Sequence, residues 1–290
     1  MSQNHIPVLP REVIEALSVE EGKRYIDATV GAGGHSAEIV KRGGVLLGID
    51  QDNNALKLAK ERLEKENRAD NWTLAHGNFR DIGNIAQEHG FTEIDGILFD
   101  LGVSSMQLDA PDRGISYRFT DAPLDARMDT SGGDTAAQLV NRCTESELYD
   151  IFSTYGEEQL ARPIAHAFVS ARAVSPIKTV GDVVNIVTAV VPGENERHGV
   201  LSRVFQGMRI AVNDELGSLK EGLGQAGELI APGGKLVVIS FHSLEDRIVK
   251  LYMKKGGWDV ITAHPIRPKE DEATANRRSR SAKLRIAIKR

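Results

Sequence analysis

Three stretches near the start of the chain carry residues suited to holding a ligand. "YIDATVGAGGHS", residues 25–36, is an apolar run that contains Asp27 and then turns through Gly31, Gly33 and Gly34. Glycines in such a turn admit close approach to the backbone, and the start of a following helix adds free N–H groups and a positive dipole end. "GVLLGID" ends in Asp50, 17 residues beyond Gly33, where an acid can accept hydrogen bonds from ribose hydroxyls. "IDGILFD" ends in Asp100, which can hold an ammonium group or the edge of a base. Between them Phe79, after "NWTLAHGN", offers an apolar face to a purine. Together they describe a site for a ribose-bearing ligand.

For these side chains to converge, the apolar runs must be neighbouring strands. "RYIDATV", "GVLLGID", "NWTLAHGNF" and "IDGILFDLGVSS" alternate with the helical patterns "SAEIVKRG", "NNALKLAKERLEKEN" and "DIGNIAQEHG". That alternation predicts a mostly parallel sheet with right-handed crossovers, an α/β class. After Gln107 the rhythm breaks into a loop rich in Gly, Pro, Asp and Arg, and then into "TAAQLVNRC", "ESELYDIFSTYG", "EQLARPIAHAFVSARA" and "TVGDVVNIVTAVV". We read 108–212 as an inserted helical, substrate-recognition domain and 1–107 with 213–290 as the ligand-binding domain. The sheet resumes with a helix stopped by "APGG" and the strand "KLVVISF". "WDVIT" and "AKLRIAIK" complete it as a hairpin at the sheet edge.

Two ribose-bearing cofactors compete for the glycine turn. A dinucleotide fingerprint needs a third glycine, but Ser36 stands there, and no catalytic His/Arg/Lys set suggests an NAD-linked oxidoreductase. Asp27 to Gly33, D-x-T-x-G-x-G, instead resembles the acid-plus-glycines signature of class I methyltransferases. The turn "LIAPGGKLVVISF" resembles the entry to their fifth strand. S-adenosylmethionine (AdoMet) is therefore the expected cofactor, on a Rossmann-like class I methyltransferase fold.

Longer stretches carry a more specific likeness. "GAGGHS", "GIDQD", "HGNF", "DGILFDLGVSS", "RGISYR", "PLDARMD", "YGEE", "ISFHSLEDRIVK" and "RSRSAKLR" resemble the RsmH (MraW) family from His5 to Arg285. The resemblance implies AdoMet-dependent methylation of the N4 amino group of a cytidine in 16S rRNA, in the small-subunit decoding centre. It implies AdoMet contacts at Gly33, Gly34, His35, Asp50, Phe79, Asp100 and Gln107, of which His35 and Gln107 rest on the resemblance alone.

Transfer to an amine needs acceptors for its protons. Where many amino-methyltransferases carry a Pro-Pro-aromatic loop, this chain has "DLGVSS", so the candidates are Asp100, the hydroxyls of Ser104 and Ser105, and nearby carbonyls. Attack at ring carbon five would need a thiolate, and the one cysteine, Cys143, sits in a predicted helix with no supporting motif. A lone cysteine also excludes an internal disulfide and cysteine-rich zinc sites, and no metal is expected.

RNA contact is expected from the charge distribution. The net charge is −5, yet residues 264–290 hold nine Lys/Arg against three Asp/Glu. Arg277, Arg278 and Arg280, with Lys283 and Arg285, suit phosphates, as do Arg113, Arg118 and Arg127, with Tyr117 and Phe119 to stack bases. His242, after the fifth strand, is expected to face the substrate. With 41% hydrophobic and 27% charged residues the chain can bury a core. No apolar run approaches the ~20 residues of a membrane span, and the start has no signal-peptide pattern. We expect a cytoplasmic protein whose partner is 16S rRNA within the small subunit, and a homodimer is compatible with the sequence. A non-catalytic RNA-binding protein is the competing class; intact glycines and Asp50 argue against it.

Overall fold

The computed structural model describes residues 7–66 and 69–290, except for the side chains of residues 69, 105 and 106. The chain divides into two compact units, Met1–Gly102 with Leu216–Arg290, and Val103–Glu215.

The first unit is built on seven strands: β1 (Arg24–Asp27), β2 (Val45–Asp50), β3 (Trp72–His76), β4 (Ile94–Asp100), β5 (Ile230–Ser240), β6 (Trp258–Val260) and β7 (Lys283–Lys289). Their order is β3-β2-β1-β4-β5-β7-β6, parallel except that β7 runs antiparallel to both neighbours. The late hairpin is thus present, but β7 lies inside the sheet and β6 forms its edge. Strand order reverses at β1, which pairs with β2 on one side and β4 on the other. Open α/β sheets bind ligands in the crevice beyond the carboxyl ends of the strands at such a point.

Helices cover both faces, so the strands read as apolar runs. Successive side chains separate into two cores. Ile26, Leu47, Phe99 and Val238 pack with Leu219 and Leu223 of the helix Glu215–Leu229. Tyr25, Leu46, Leu98 and Val237 pack with Val13 and Ile39 on the other face. Val13 belongs to a helix, Pro10–Leu17, that the periodicity reading passes over because the segment is short and opens with proline. The "APGG" stop becomes a bulge within β5: Ile94 pairs with Ile230, but Gly96 pairs with Lys235.

The second unit is helical. Ala136–Arg142, Glu145–Asp150, Ala161–Val174, Val180–Val190 and Glu194–Asn213 surround Phe152, Phe168, Val187 and Val204. Thr135, Thr144 and Thr179 each cap a helix, the hydroxyl accepting from the N–H three residues on and the threonine's own N–H donating to that residue's side chain, which fixes where the helices begin. Glu194–Asn213, 20 residues long, has no counterpart in the sequence reading, since its first turns, "ENERHG", are polar on every side. The unit begins at Val103, five residues before the expected boundary, so Ser104 and Gln107 belong to it.

Candidate active site

The chain leaving β1 divides its hydrogen bonds between two neighbours. Ala28 N–H donates to Leu98 O of β4 and Val30 N–H to Ile49 O of β2, both at 2.9 Å. This opens a notch at the carboxyl ends of β1, β2 and β4, and an aspartate lies on each side of it. Gly31 N–H donates to Asp50 Oδ2 at 2.9 Å, and Asp52 N–H to Asp50 Oδ1 at 2.9 Å. The N–H of Gln51 bonds this carboxylate as well, and the two oxygens together still have accepting capacity for a ligand. Asp27 is buried and accepts from Ser36 Oγ at 2.7 Å and Thr29 N–H at 3.3 Å. The Thr29 hydroxyl accepts from Asp100 N–H at 2.6 Å, tying β4's last residue to the glycine turn. Asp100 Oδ2 lies 3.9 Å from His35 Nε2, and its Oδ1 lies 3.4 Å from Arg278 Nη2.

Three acids this close repel one another. Burial pushes Asp27 up to about 7, and Asp100 and Asp50 add to the effect against the bonds from Ser36 and Thr29. Burial likewise raises Asp50 to about 6, although the N–H groups of Asp52 and Gly31 pull it down. A notch lined by carboxylates at adjacent strand ends favours a ligand that brings positive charge.

The glycines divide into two kinds. A methyl group built on Gly33 would stand 3.1 Å from Ala59 Cα, and one on Gly34 3.0 Å from Pro7 Cβ. Those two are small because other parts of the protein press on them. At Gly31, with φ +52°, the nearest atom is Thr29 O at 3.8 Å, which leaves room for a ligand. Phe79 opens a short 3-10 turn and meets Phe99 edge-on at 5.6 Å between centroids. It is partly exposed and partly core. Gln225 holds the turn, accepting from Gly83 N–H at 2.8 Å and donating to Arg80 O at 2.6 Å.

Several residues expected to touch ligand or RNA have partners in their own segments. Ser104 and Gln107 form a capping box at the start of a short helix, Ser105–Asp109, with bonds of 3.0 and 3.2 Å. The Ser105 side chain is outside the described residues. His242, expected to face substrate, caps the helix Ser243–Lys254: Nδ1 accepts from Glu245 N–H at 3.4 Å, and Nε2 lies 3.1 Å from Glu245 Oε1. A histidine beginning the helix after β5 serves its backbone first. Arg285 is buried in β7 and paired with Asp246 at 2.6 Å. Within the second unit Arg113 donates to Met128 O, Arg118 pairs with Asp109, and Arg127 grips Asp125 through two 2.8 Å bonds. These arginines hold their own loop together. Cys143 ends a helix, and burial pushes its thiol up, away from the nucleophilic form.

Of the tail arginines, Arg277 and Arg280 are exposed, and Arg280 donates to Ala273 O at 2.9 Å. Arg278 instead turns inward onto Asp100. One signal for this was available. A final strand antiparallel to β5 must begin where β5 ends, as Lys283 does opposite Ser240, so the residues before it fall at the ligand-binding edge.

The model of the MraW methylase family matches residues 2–290. The chain belongs to this family. A protein of Heliobacterium mobile named ribosomal RNA small subunit methyltransferase H is 45% identical over 314 residues, covering all of both chains. One of the same name from Deinococcus radiodurans is also 45% identical, over 98% of this chain and 89% of its own. A solved rRNA methylase from Streptococcus thermophilus aligns with 97% of this chain and 93% of its own, at 11% identity and a TM-score of 0.45.

Members of the MraW methylase family use AdoMet, and so does this chain. The notch fits that cofactor. AdoMet brings a sulfonium and an ammonium cation, which suit Asp27, Asp50 and Asp100, and two ribose hydroxyls, which suit the remaining accepting capacity of Asp50. Phe79 would face the adenine, and the open side of Gly31 would face the amino-acid end. An ionised Asp50 would accept from both hydroxyls, and a protonated one would not. AdoMet affinity, measured by calorimetry, should therefore fall about tenfold between pH 7.5 and pH 5, as Asp50 takes up its proton near 6. Asp50→Asn should bind weakly at both pH values. A wild-type affinity that ignores pH across this range would remove Asp50 from the cofactor site.

Proposed function

We propose that this methylase transfers the methyl of AdoMet to the N4 amine of a cytidine in 16S rRNA, in the decoding centre of the small ribosomal subunit. The names of its full-length relatives support the RNA, and the whole-chain resemblance supports the base and the atom. The observation that carries the chemistry is Asp100: a carboxylate at the end of β4, fixed by Thr29 at its backbone and flanked by His35 and Arg278.

The exocyclic amine of cytosine is a poor nucleophile because its lone pair is delocalised into the ring. Asp100 accepts an N–H of that amine, so the nitrogen can turn tetrahedral and release its lone pair. AdoMet, when bound, supplies a methyl already activated on sulfur and leaves as a neutral thioether. As the N–C bond forms, the amine becomes cationic and passes one proton to Asp100 and then to water. No covalent link to the enzyme is needed, in keeping with the inert Cys143. Positioning and electrostatics supply most of the rate. Arg277 and Arg280 are exposed and can meet phosphates, and the helical unit 103–215 recognises the RNA. Cytoplasmic action follows from that substrate. Among the described residues no helix is long and apolar enough to cross a membrane.

The test uses small subunits and 16S rRNA from cells lacking the protein, labelled AdoMet, and mass mapping of the modified nucleosides. N4-methylated cytidine at a single position is expected. Label at ring carbon five or on another base would overturn the proposed chemistry, and no label on either substrate would favour the non-catalytic RNA-binding reading.

A further inference from the structure

Arg278 stands in the basic tail, where composition alone assigns it to RNA phosphates. Its geometry is different. The side chain is 11% exposed and its Nη2 lies 3.4 Å from both Asp100 Oδ1 and Leu101 O. Its guanidinium carbon stands 4.6 Å from the centre of the Phe241 ring, a cation–π contact. The Phe241 ring in turn lies over Gly102, where an added methyl would meet its Cδ2 at 3.3 Å. Phe241 is itself held, its N–H donating to Glu245 Oε2 at 2.8 Å. One guanidinium thus joins the residues after β4 to the residue after β5, at the end of the sheet where Asp100 sits.

Stability alone gives a poor account of this placement. A buried arginine loses hydration, and its Nε–H has no hydrogen-bond acceptor among the described residues. Unsatisfied buried donors are costly and concentrate where function requires them. The 3-10 turn Arg277–Ser281 keeps the side chain aimed, with Ser279 Oγ donating to Asn276 O at 2.8 Å.

We propose that Arg278 is a positioning residue for methyl transfer: it fixes the carboxylate of Asp100, and the backbone at Leu101, in the orientation that receives the amine. This deepens the proposed function and rests on Asp100 being the proton-accepting group. The planar fork is what matters, since only it can stack on Phe241 while reaching both oxygens; an ammonium is a point charge with other geometry.

The experiment compares Arg278→Lys with Arg277→Ala and wild type. It measures kcat at saturating RNA and AdoMet, AdoMet affinity by calorimetry, and RNA affinity against salt without AdoMet. Arg278→Lys should lose about a hundredfold in kcat, the scale of a misplaced reacting group. Its RNA affinity and salt slope should stay at wild-type values, and its AdoMet affinity within about threefold of wild type. Arg277→Ala should instead weaken RNA binding, its salt slope falling by about one, as for a lost phosphate contact. If Arg278→Lys keeps kcat, or weakens RNA binding with the phosphate signature, the inference is wrong. Should Arg278→Lys fail to fold, Phe241→Leu decides instead. It removes the stack alone, and a kcat equal to wild type would be equally damaging. A wild type that transfers no methyl to rRNA would sink the proposed function; an active wild type with an equally active Arg278→Lys sinks only this inference.

Discussion

Replacing Asp100 by asparagine should lower kcat roughly a thousandfold, within the range general-base groups contribute. The substitution keeps the shape, and an amide oxygen can still accept from Arg278 Nη2, now 3.4 Å from Oδ1. The backbone bond from Asp100 N–H to Thr29 Oγ1 is untouched, so β4 should end where it does now. What disappears is the negative charge proposed to accept the amine's proton as the nitrogen becomes cationic. A neutral amide accepts a hydrogen bond but not the proton, so the transition state loses more than the bound state, and KM for RNA should change little. Asp100→Ala should fall further, because it also frees Arg278. Steady-state kinetics with 16S rRNA or small subunits at saturating AdoMet check this. An Asp100→Asn enzyme within a few-fold of wild-type kcat would show that the proton leaves by another route.

The parts of this site that could be read from the chain are those set by strand ends. Asp50 and Asp100 close apolar runs, and in a parallel sheet such residues must gather on one edge, so their places there follow from periodicity and topology. Residues whose neighbours come from distant segments could not be read. Gly33 and Gly34 look like ligand glycines, yet they face Ala59 and Pro7, which only the packing of two helices and the N-terminal segment brings near. Arg278 differs from Arg277 in direction, not in type, and charge counting treats them alike. His242 and Ser104 carry chemical side chains at helix starts, where the backbone's open N–H groups claim them. The helix Glu194–Asn213 went unseen because its buried residues begin only at Val200.

The division among the glycines yields the second large effect. Gly33→Val should destabilise the fold by about 3 kcal/mol, combining left-handed strain with overpacking. Gly33 has φ +74°, which a β-branched residue scarcely adopts, and its new Cβ would stand 3.1 Å from Ala59 Cα, a buried backbone atom that cannot swing aside. Gly31→Ala should cost only about 1 kcal/mol, since its φ of +52° carries strain but nothing lies closer than Thr29 O at 3.8 Å. For the cofactor the order reverses. A methyl on Gly31 intrudes on the open side of the turn and should weaken AdoMet binding about tenfold. Folded Gly33→Ala, whose methyl points into protein, should bind within a few-fold of wild type. Urea unfolding and calorimetry on Gly31→Ala, Gly33→Ala and Gly33→Val separate the two quantities. If Gly31→Ala binds AdoMet as tightly as wild type while Gly33→Ala does not, the ligand lies on the other side of the turn, and the open space beside Gly31 has another purpose.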